Sequence, residues 1–181
     1  MNLAVIVVVL IVIAFLWFLY NSIVVAKMRV SEALSQIDVQ LKRRTDLIPN
    51  LVETVKGYAK HEREIFEKVS QARQNLVSAK GPAEKSEANN QLSQTLKSIL
   101  AIAESYPDLK ASQNFIELQD EIADTENKIA YARQFYNSVV LDYNTKLKVF
   151  PNVIFANLFH FTDAEFFGAN DSEKQPVKVS F

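Results

Sequence analysis

The sequence predicts an all-α protein, with an N-terminal transmembrane helix followed by an antiparallel four-helix bundle with long helices. The first observation is a shortage of turn residues: the 181 residues include 3 glycines and 5 prolines, whereas average usage gives about 13 glycines. The second is that no side chain from Met1 to Ala26 is charged. The third is that the later apolar residues recur at helical spacing. Together they exclude a multi-stranded sandwich, a barrel and a Rossmann fold.

The apolar run from Leu3 to Tyr20 is predicted to cross a membrane, and we call it the apolar span. At 1.5 Å per residue it covers about 27 Å, close to the thickness of the hydrocarbon core. Trp17 and Tyr20 lie at its C-terminal end, where aromatic rings prefer the membrane interface. A cleaved signal peptide is the alternative, but the run has no positive n-region and is longer than a usual h-region.

Positive charge follows the span rather than preceding it. Lys27, Arg29 and the cluster Lys42-Arg43-Arg44 all come after it. The positive-inside rule therefore predicts a single-pass protein of the cytoplasmic membrane, with its N-terminus outside and its bundle in the cytoplasm. The lipid bilayer is the first predicted partner. The formal net charge of −1 gives no reason to expect a nucleic-acid partner.

The first two bundle helices are predicted from one apolar stripe with a proline inside it. The span is expected to continue into a helix with an apolar face over Val30–Leu41. Asp46 is expected to cap a second helix, with Pro49 in its first turn and its stripe continuing to about Ala79. A single kinked helix that continues through Pro49 is the alternative.

The third and fourth helices are predicted from turn signals and a heptad pattern. Gly81-Pro82 is expected to open the third helix and Pro107 to end it. Ser112 is expected to cap the fourth helix, which Pro151 ends. Its coiled-coil-like seam consists of Phe115, Leu118, Ile122, Thr125, Ile129, Ala132, Tyr136, Val139 or Val140, Tyr143, Leu147 and Phe150.

These elements divide the chain into four predicted segments. Residues 1–26 are the membrane anchor, 27–150 the helical bundle, 151–167 a short apolar helix and 168–181 a flexible tail. The stretch Val153–Phe159 is strongly apolar but too short to span a bilayer. It is expected to pack on the end of the bundle, with a position on the membrane surface or against a partner as the alternative.

Residues suited to catalysis or metal binding are scarce. The chain has no cysteine and two histidines. His61-Glu62 begins like the zinc motif H-E-x-x-H, but Ile65 stands where the second histidine ligand is needed. No glycine-rich nucleotide-binding motif occurs. The sequence therefore predicts no catalytic residue, no metal and no cofactor, and the protein is not expected to be an enzyme.

The basic cluster Lys42-Arg43-Arg44 has two interpretations. It either meets anionic lipid or pairs with acidic residues of other helices. Because about 23 Å of helix separate it from Lys27, pairing within the protein is favoured.

A candidate interaction surface is predicted on the fourth helix and the short apolar helix. Polar and aromatic residues adjoin one another along the fourth helix, unlike a simple leucine core. They either hydrogen-bond across the bundle and fix its register or line a groove for a partner helix or peptide. The residues of this surface are Arg133, Tyr136, Asn137, Tyr143, Asn144, Ile154, Phe155 and Phe159.

Five sequence blocks follow one another in order and at fitting separations: Asp46–Tyr58 (DLIPNLVETVKGY), Tyr106–Ala111 (YPDLKA), Arg133–Asn137 (RQFYN), Tyr143-Asn144 and Phe150-Pro151. These blocks resemble the signature blocks of the LemA family. With the apolar span, the resemblance covers about Leu3 to Phe167. One departure is His160, where the family usually has glycine, a residue that permits a positive φ.

The resemblance implies a bacterial single-span membrane protein with its N-terminus outside and a four-helix bundle in the cytoplasm. It implies no particular reaction. The predicted function is therefore that of a membrane-anchored, non-enzymatic scaffold or adaptor that forms a homo-oligomer and presents its bundle to membrane-protein partners. The alternatives are a regulator of a membrane protease or transporter, and a sensor whose bundle faces outward.

Overall fold

The computed structural model describes residues 3–59 and 61–168, and within them the chain forms helices and no strand. This confirms the all-α prediction. The residues from 169 onward, which belong to the predicted tail, lie outside the described part. The helices are α1 (Leu3–Lys56), α2 (Arg63–Ser78), α3 (Gly81–Ala103), α4 (Pro107–Lys110), α5 (Gln113–Lys148) and α6 (Asn152–Leu158).

Helix α1 is continuous over 54 residues and includes Pro49 in its interior. The prediction that Asp46 caps a new helix is therefore wrong, and the continuous alternative is correct. Asp46 instead forms an ion pair with Lys42, one turn earlier on the same helix. Pro49 has no N–H for the carbonyl of Thr45. That carbonyl accepts a 2.8 Å hydrogen bond from Nε of Arg73 in α2 instead.

The described chain forms two compact units, and both long helices contribute to each. Among the described residues, the first unit consists of 3–35 and 134–165, and the second of 36–59, 61–133 and 166–168.

In the first unit, the N-terminal part of α1 is exposed, and its packing against other helices begins near the end of the apolar span. Every side chain from Leu3 to Phe18 is exposed, and Leu19 is the first buried one. This helix is long and apolar enough to cross a membrane. Beyond the span, Ile23 forms a core cluster with Tyr143, Leu147 and Ala156, so α1, α5 and α6 pack together there.

In the second unit, four helical segments surround one apolar core. They are the C-terminal part of α1, then α2, α3 and the N-terminal part of α5. Each contributes residues at three- and four-residue steps, as the sequence pattern predicts. The core includes Ile37, Leu41, Ile48, Leu51, Val55, Phe66, Val69, Leu76, Leu92, Leu96, Ile99, Phe115, Ile122 and Ile129.

The predicted helix reaching Ala79 is interrupted, which corrects the expected second helix. Helix α1 ends at Lys56, and α2 begins at Arg63. Gly57 directly follows the last residue of α1, and glycine is about 1 kcal/mol less favourable than alanine within a helix. The carbonyl of Val55 then accepts bonds from the N–H groups of both Tyr58 and Ala59. The turn keeps the apolar stripe on both sides of it buried.

The predicted fourth helix agrees closely with α5, which begins directly after Ser112. Val140, rather than Val139, is the fully buried residue of that turn. Phe150 does not belong to the seam, because α5 ends at Lys148 and the Phe150 side chain is 79% exposed. The short helix α4 was not predicted, and it places Leu109 in the core.

His160, which stands where the family usually has glycine, adopts a φ of 55°. His160 therefore adopts the left-handed conformation although, unlike glycine, it carries a side chain. This conformation costs a non-glycine residue about 1–2 kcal/mol. The chain turns here from α6 into the segment 161–168.

Candidate functional site

Three of the predicted surface residues, Tyr136, Tyr143 and Asn144, are buried on α5 and hold the segment after α6. The hydroxyl of Tyr136 donates to the carbonyl of Glu165 at 2.7 Å, and that of Tyr143 donates to the carbonyl of Thr162 at 3.2 Å. We call these three residues the polar clamp. Tyr143 and Asn144 follow Tyr136 by seven and eight residues, about two helical turns, so the three side chains lie on the same side of α5.

Asn144 recognises the backbone of Ala164 with both ends of its side-chain amide. Its Nδ2 donates to the carbonyl of Ala164 at 2.9 Å. Its Oδ1 accepts from the N–H of Ala164 at 2.8 Å. A loop segment without regular structure must find hydrogen-bond partners for its backbone. The polar clamp supplies them for Thr162, Ala164 and Glu165.

The tyrosines of the clamp are held in their neutral form. Burial raises the pKa of Tyr136 above its ordinary value, and the nearby Glu165 carboxylate raises it further. Burial likewise raises the pKa of Tyr143, with a smaller contribution from Asp163. Both hydroxyls remain hydrogen-bond donors through the physiological pH range.

The remaining residues of the predicted surface have different surroundings. Asn137 is half-buried in the first unit, and Arg133 is half-buried in the second. Arg133 lines a cavity of about 450 Å³ between α3 and α5 together with Asn89, Ser93 and Lys97. On α6, Ile154 and Phe159 are exposed and Phe155 is half-buried. The structure therefore separates the predicted surface into several environments.

The basic cluster on α1 pairs within the second unit, as expected. Arg43 forms a 2.9 Å ion pair with Asp124 of α5. Arg44 is 2% exposed and donates from Nη1 to Oδ1 of Asn89 at 2.7 Å. Its Nη2 forms an ion pair with Glu126. Arg44 thus joins α1 to α3 and α5 through one buried guanidinium.

The environment of Arg44 combines burial with one compensating charge. Burial lowers the pKa of Arg44 from its ordinary value, and the attraction of Glu126 opposes that shift. Arginine stays protonated even so, because its pKa lies far above neutrality. Nε of Arg44 has no hydrogen-bond partner among the described residues. Sequence reasoning predicted the pairing of the cluster but not which arginine is buried.

Large apolar side chains are exposed where α6 meets the end of the apolar span. Phe150, Ile154, Leu158 and Phe159 are 50–79% exposed, and we call these four residues the apolar collar. The ring of Phe159 lies 5.0 Å from that of Tyr20, measured between centroids. Two other contacts lie near the end of the apolar span. Lys146 Nζ donates to the carbonyl of Ser22 at 3.2 Å, and Lys27 Nζ lies over the Phe161 ring.

The arrangement offers hydrogen-bonding and apolar surfaces rather than a reactive centre. Among residues 3–59 and 61–168, no three or more His, Asp or Glu side chains are grouped in a way that could hold a metal ion. Apart from Nε of Arg44, the buried polar groups described above donate to or accept from other groups of the protein.

The sequence blocks described above all lie within the match to one protein family. The sequence profile of the LemA family matches residues 33–181. The chain belongs to the LemA family. The match begins within α1, after the apolar span, and includes the helices of the second unit and the polar clamp.

Individual relatives are similar over most of the chain. Protein LemA of Metamycoplasma hominis is 26% identical over 155 residues, which cover 83% of this chain and 69% of that protein. Magnetosome protein MamQ of Magnetospirillum gryphiswaldense is 24% identical over 184 residues, with coverages of 87% and 68%. Magnetosome protein MamQ 2 of Paramagnetospirillum magneticum is 24% identical over 191 residues, with coverages of 91% and 70%.

Family membership and the N-terminal helix together describe this LemA family protein at a coarse level. It is a membrane-associated helical protein.

Proposed function

We propose that this LemA family protein is a membrane-anchored helical scaffold without catalytic activity, which self-associates and presents its bundle to membrane-associated partners. The observation that carries the proposal is the continuity of α1 from Leu3 to Lys56. The N-terminal part of this helix is the apolar span, and its C-terminal part contributes residues to the apolar core. An anchor joined to a bundle without a linker holds it close to the membrane, where partners are concentrated.

The charge distribution supports a cytoplasmic position for the bundle. Lys27 and Arg29 are exposed directly after the span. Positive residues close to the end of a span favour the cytoplasmic side. We therefore place the N-terminus outside the cytoplasmic membrane of a bacterium and the bundle inside.

Self-association is assigned to the bundle surface rather than to the span. The span contains no glycine, so it has no Gly-x-x-x-Gly face for close helix pairing. The second unit exposes large side chains to solvent, among them Val77 and Tyr131 at 63% and 74% exposure. Confinement to a membrane raises the effective concentration of tethered copies, so a weak contact between such surfaces becomes populated.

The absence of catalytic activity is proposed from how the polar groups are used. The tyrosines of the polar clamp donate to backbone carbonyls, and Arg44 is engaged by Glu126 and Asn89. Groups committed to such internal bonds are not free to bind or activate a substrate. The relatives' names, Protein LemA and Magnetosome protein MamQ, specify no reaction.

Photo-crosslinking in living cells tests the scaffold role. Benzoylphenylalanine is introduced in place of Tyr131, which is 74% exposed, and in a matched variant in place of Tyr136, which is 2% exposed. We expect adducts with a second copy and with other membrane proteins from the first position only. Absence of any protein adduct from position 131 would contradict the proposal. A single dominant heterologous adduct would favour a dedicated regulator.

Reporter fusions test the orientation separately. A reporter fused after Phe181 is expected to give green fluorescence and no alkaline phosphatase activity. The reverse pattern would place the bundle outside and favour the sensor alternative.

A further inference from the structure

Helix α6 carries two large apolar residues on the side that a water-exposed helix normally keeps polar. On its core side, Ala156 is 4% exposed and Phe155 packs against the same core cluster. Ile154 and Leu158, four residues apart and opposite Ala156, are 55% and 66% exposed. A helix lying on a soluble protein would bury its large apolar side chains and expose its small or polar ones.

The contacts of α6 fix its depth relative to the apolar span. Phe159 packs against Tyr20, the last residue of the span, and Ala156 packs with Ile23, three residues further along α1. Three residues of helix correspond to about 5 Å. Because tyrosine at the end of a span prefers the interface between headgroups and acyl chains, α6 lies at that same depth.

Positive charge lies beside the apolar collar, as a lipid interface requires. The Nζ of Lys27 is 5.8 Å from the centre of the Phe161 ring. Lys146 donates to the carbonyl of Ser22, and Arg29 is exposed two residues beyond Lys27. Apolar side chains flanked by Lys and Arg characterise helices that lie in the interface and contact anionic headgroups.

We propose that the apolar collar of Phe150, Ile154, Leu158 and Phe159 inserts into the headgroup and acyl-chain boundary of the bilayer as a second membrane contact. The occupant of this face is lipid, because the face is continuous with the span. This inference depends on the membrane crossing by α1, which the proposed function also uses. It adds that the protein holds the membrane at two points, so the helices at the end of the span cannot tilt freely.

Tryptophan quenching by brominated lipids tests this contact, because Trp17 is the only tryptophan of the chain. The full-length protein is reconstituted into vesicles of phosphatidylcholine and phosphatidylglycerol, with and without bromine at acyl carbons close to the headgroup. The reporter variant combines Trp17→Phe with Leu158→Trp. The matched control combines Trp17→Phe with Val39→Trp, which is 60% exposed in the native chain and about 28 Å beyond Tyr20 along α1.

We expect the Leu158→Trp reporter to lose emission in brominated vesicles, and to be protected from acrylamide added in water. The Val39→Trp control is expected to respond to acrylamide alone. If the Leu158→Trp reporter also responds to acrylamide alone, its face is in water and the inference is wrong. If neither quencher reaches it, protein covers the face and the lipid assignment is wrong.

Native Trp17 separates failure of this inference from failure of the anchoring itself. Quenching of Trp17 by brominated lipid in the unmodified protein reports insertion of the span. Its absence would overturn the membrane crossing and therefore both proposals. Quenching of Trp17 without quenching of the Leu158→Trp reporter would overturn the interfacial contact alone. Far-UV circular dichroism verifies that each variant keeps its helical content.

Discussion

Arg73 occupies the hydrogen-bonding position at Thr45 that Pro49 leaves open. Its Nε donates to the Thr45 carbonyl at 2.8 Å, across 28 residues of sequence. A proline inside a helix normally costs about 3 kcal/mol, in part because a carbonyl loses its partner. Here the Arg73 side chain of α2 replaces the missing N–H. The same hydrogen bond therefore offsets part of the free-energy cost of the proline and joins two helices.

A double-mutant cycle tests this compensation. Arg73→Leu leaves the part-buried Thr45 carbonyl without its donor, and we expect a loss of about 1–3 kcal/mol in the free energy of unfolding. In a Pro49→Ala background the helix supplies its own N–H, so the same change should cost clearly less. Denaturant unfolding in mild detergent, followed by circular dichroism, measures both. Arg63→Leu, at an exposed position of α2, serves as the control. Equal costs in the two backgrounds would disprove the coupling.

The phase of the α5 seam is tested by two adjacent substitutions. Ile129 is 3% exposed, whereas Lys128 is half exposed and pairs with Asp124 one turn away. Ile129→Asp places an unpaired carboxylate in the core and is expected to cost about 3–5 kcal/mol. Lys128→Asp should cost a small part of that. Thermal unfolding of both variants measures the difference, and similar melting temperatures would mean that Ile129 does not face the core.

Loss of an acidic partner is expected to matter for the buried Arg44 and not for the exposed Lys68. Removing one member of a fully buried pair costs about 3–5 kcal/mol. Because Glu126 is half exposed, we expect Glu126→Gln to cost less, about 1–3 kcal/mol. Glu64→Gln breaks an exposed pair with Lys68 and should leave the unfolding midpoint unchanged. Denaturant titration compares them, and a silent Glu126→Gln would show that Arg44 needs no counter-charge.

Periodicity predicted most of the core because burial of a helix face depends on spacing alone. Most of the α5 stripe from Phe115 to Leu147 is buried as the heptad pattern requires, with Leu118 and Ala132 half-buried. The capping rule failed at Pro49, where Arg73 of another helix bonds the carbonyl that proline leaves without an N–H. Periodicity failed at Gly57, since an apolar stripe keeps its period across a turn when both flanking helices face one core.

The polar clamp shows why the candidate site was only partly predictable. The mixture of Tyr and Asn on α5 signalled hydrogen bonding, and those residues do form such bonds. Their partners are the carbonyls of Thr162, Ala164 and Glu165. Every residue carries a backbone carbonyl, so no sequence feature marks the ones that will be bound. The sequence therefore indicated the donors but not the segment they hold.

His160 offers a direct test of backbone strain. Its φ of 55° lies in the left-handed region, which costs a residue with a side chain about 1–2 kcal/mol. Glycine removes that cost but is more flexible in the unfolded chain, so His160→Gly should stabilise the protein by about 0.5–1 kcal/mol. His160→Ala keeps the strain and should give no gain. Unfolding midpoints compare the two variants, and equal values would show that the turn is not strained.

The clamp tyrosine Tyr136 predicts how stability changes at alkaline pH. Its pKa is raised in the folded protein, chiefly by burial, whereas in the unfolded chain it titrates near its ordinary value of about 10. Above about pH 10 the unfolded chain releases this proton and the folded protein retains it. The stabilising contribution is therefore complete below that pH and is lost as the pH rises through the folded value.

Tyr136→Phe removes both the hydroxyl and this titration. At neutral pH we expect it to cost about 0.5–1.5 kcal/mol, because the 2.7 Å bond to the Glu165 carbonyl is lost. Above pH 10 the variant should lose stability less steeply than the native protein. Tyr131→Phe, at an exposed position, should keep the native slope. Denaturant unfolding from pH 8 to 11 measures all three proteins. If Tyr136→Phe and the native protein show the same alkaline slope, the clamp does not keep Tyr136 protonated.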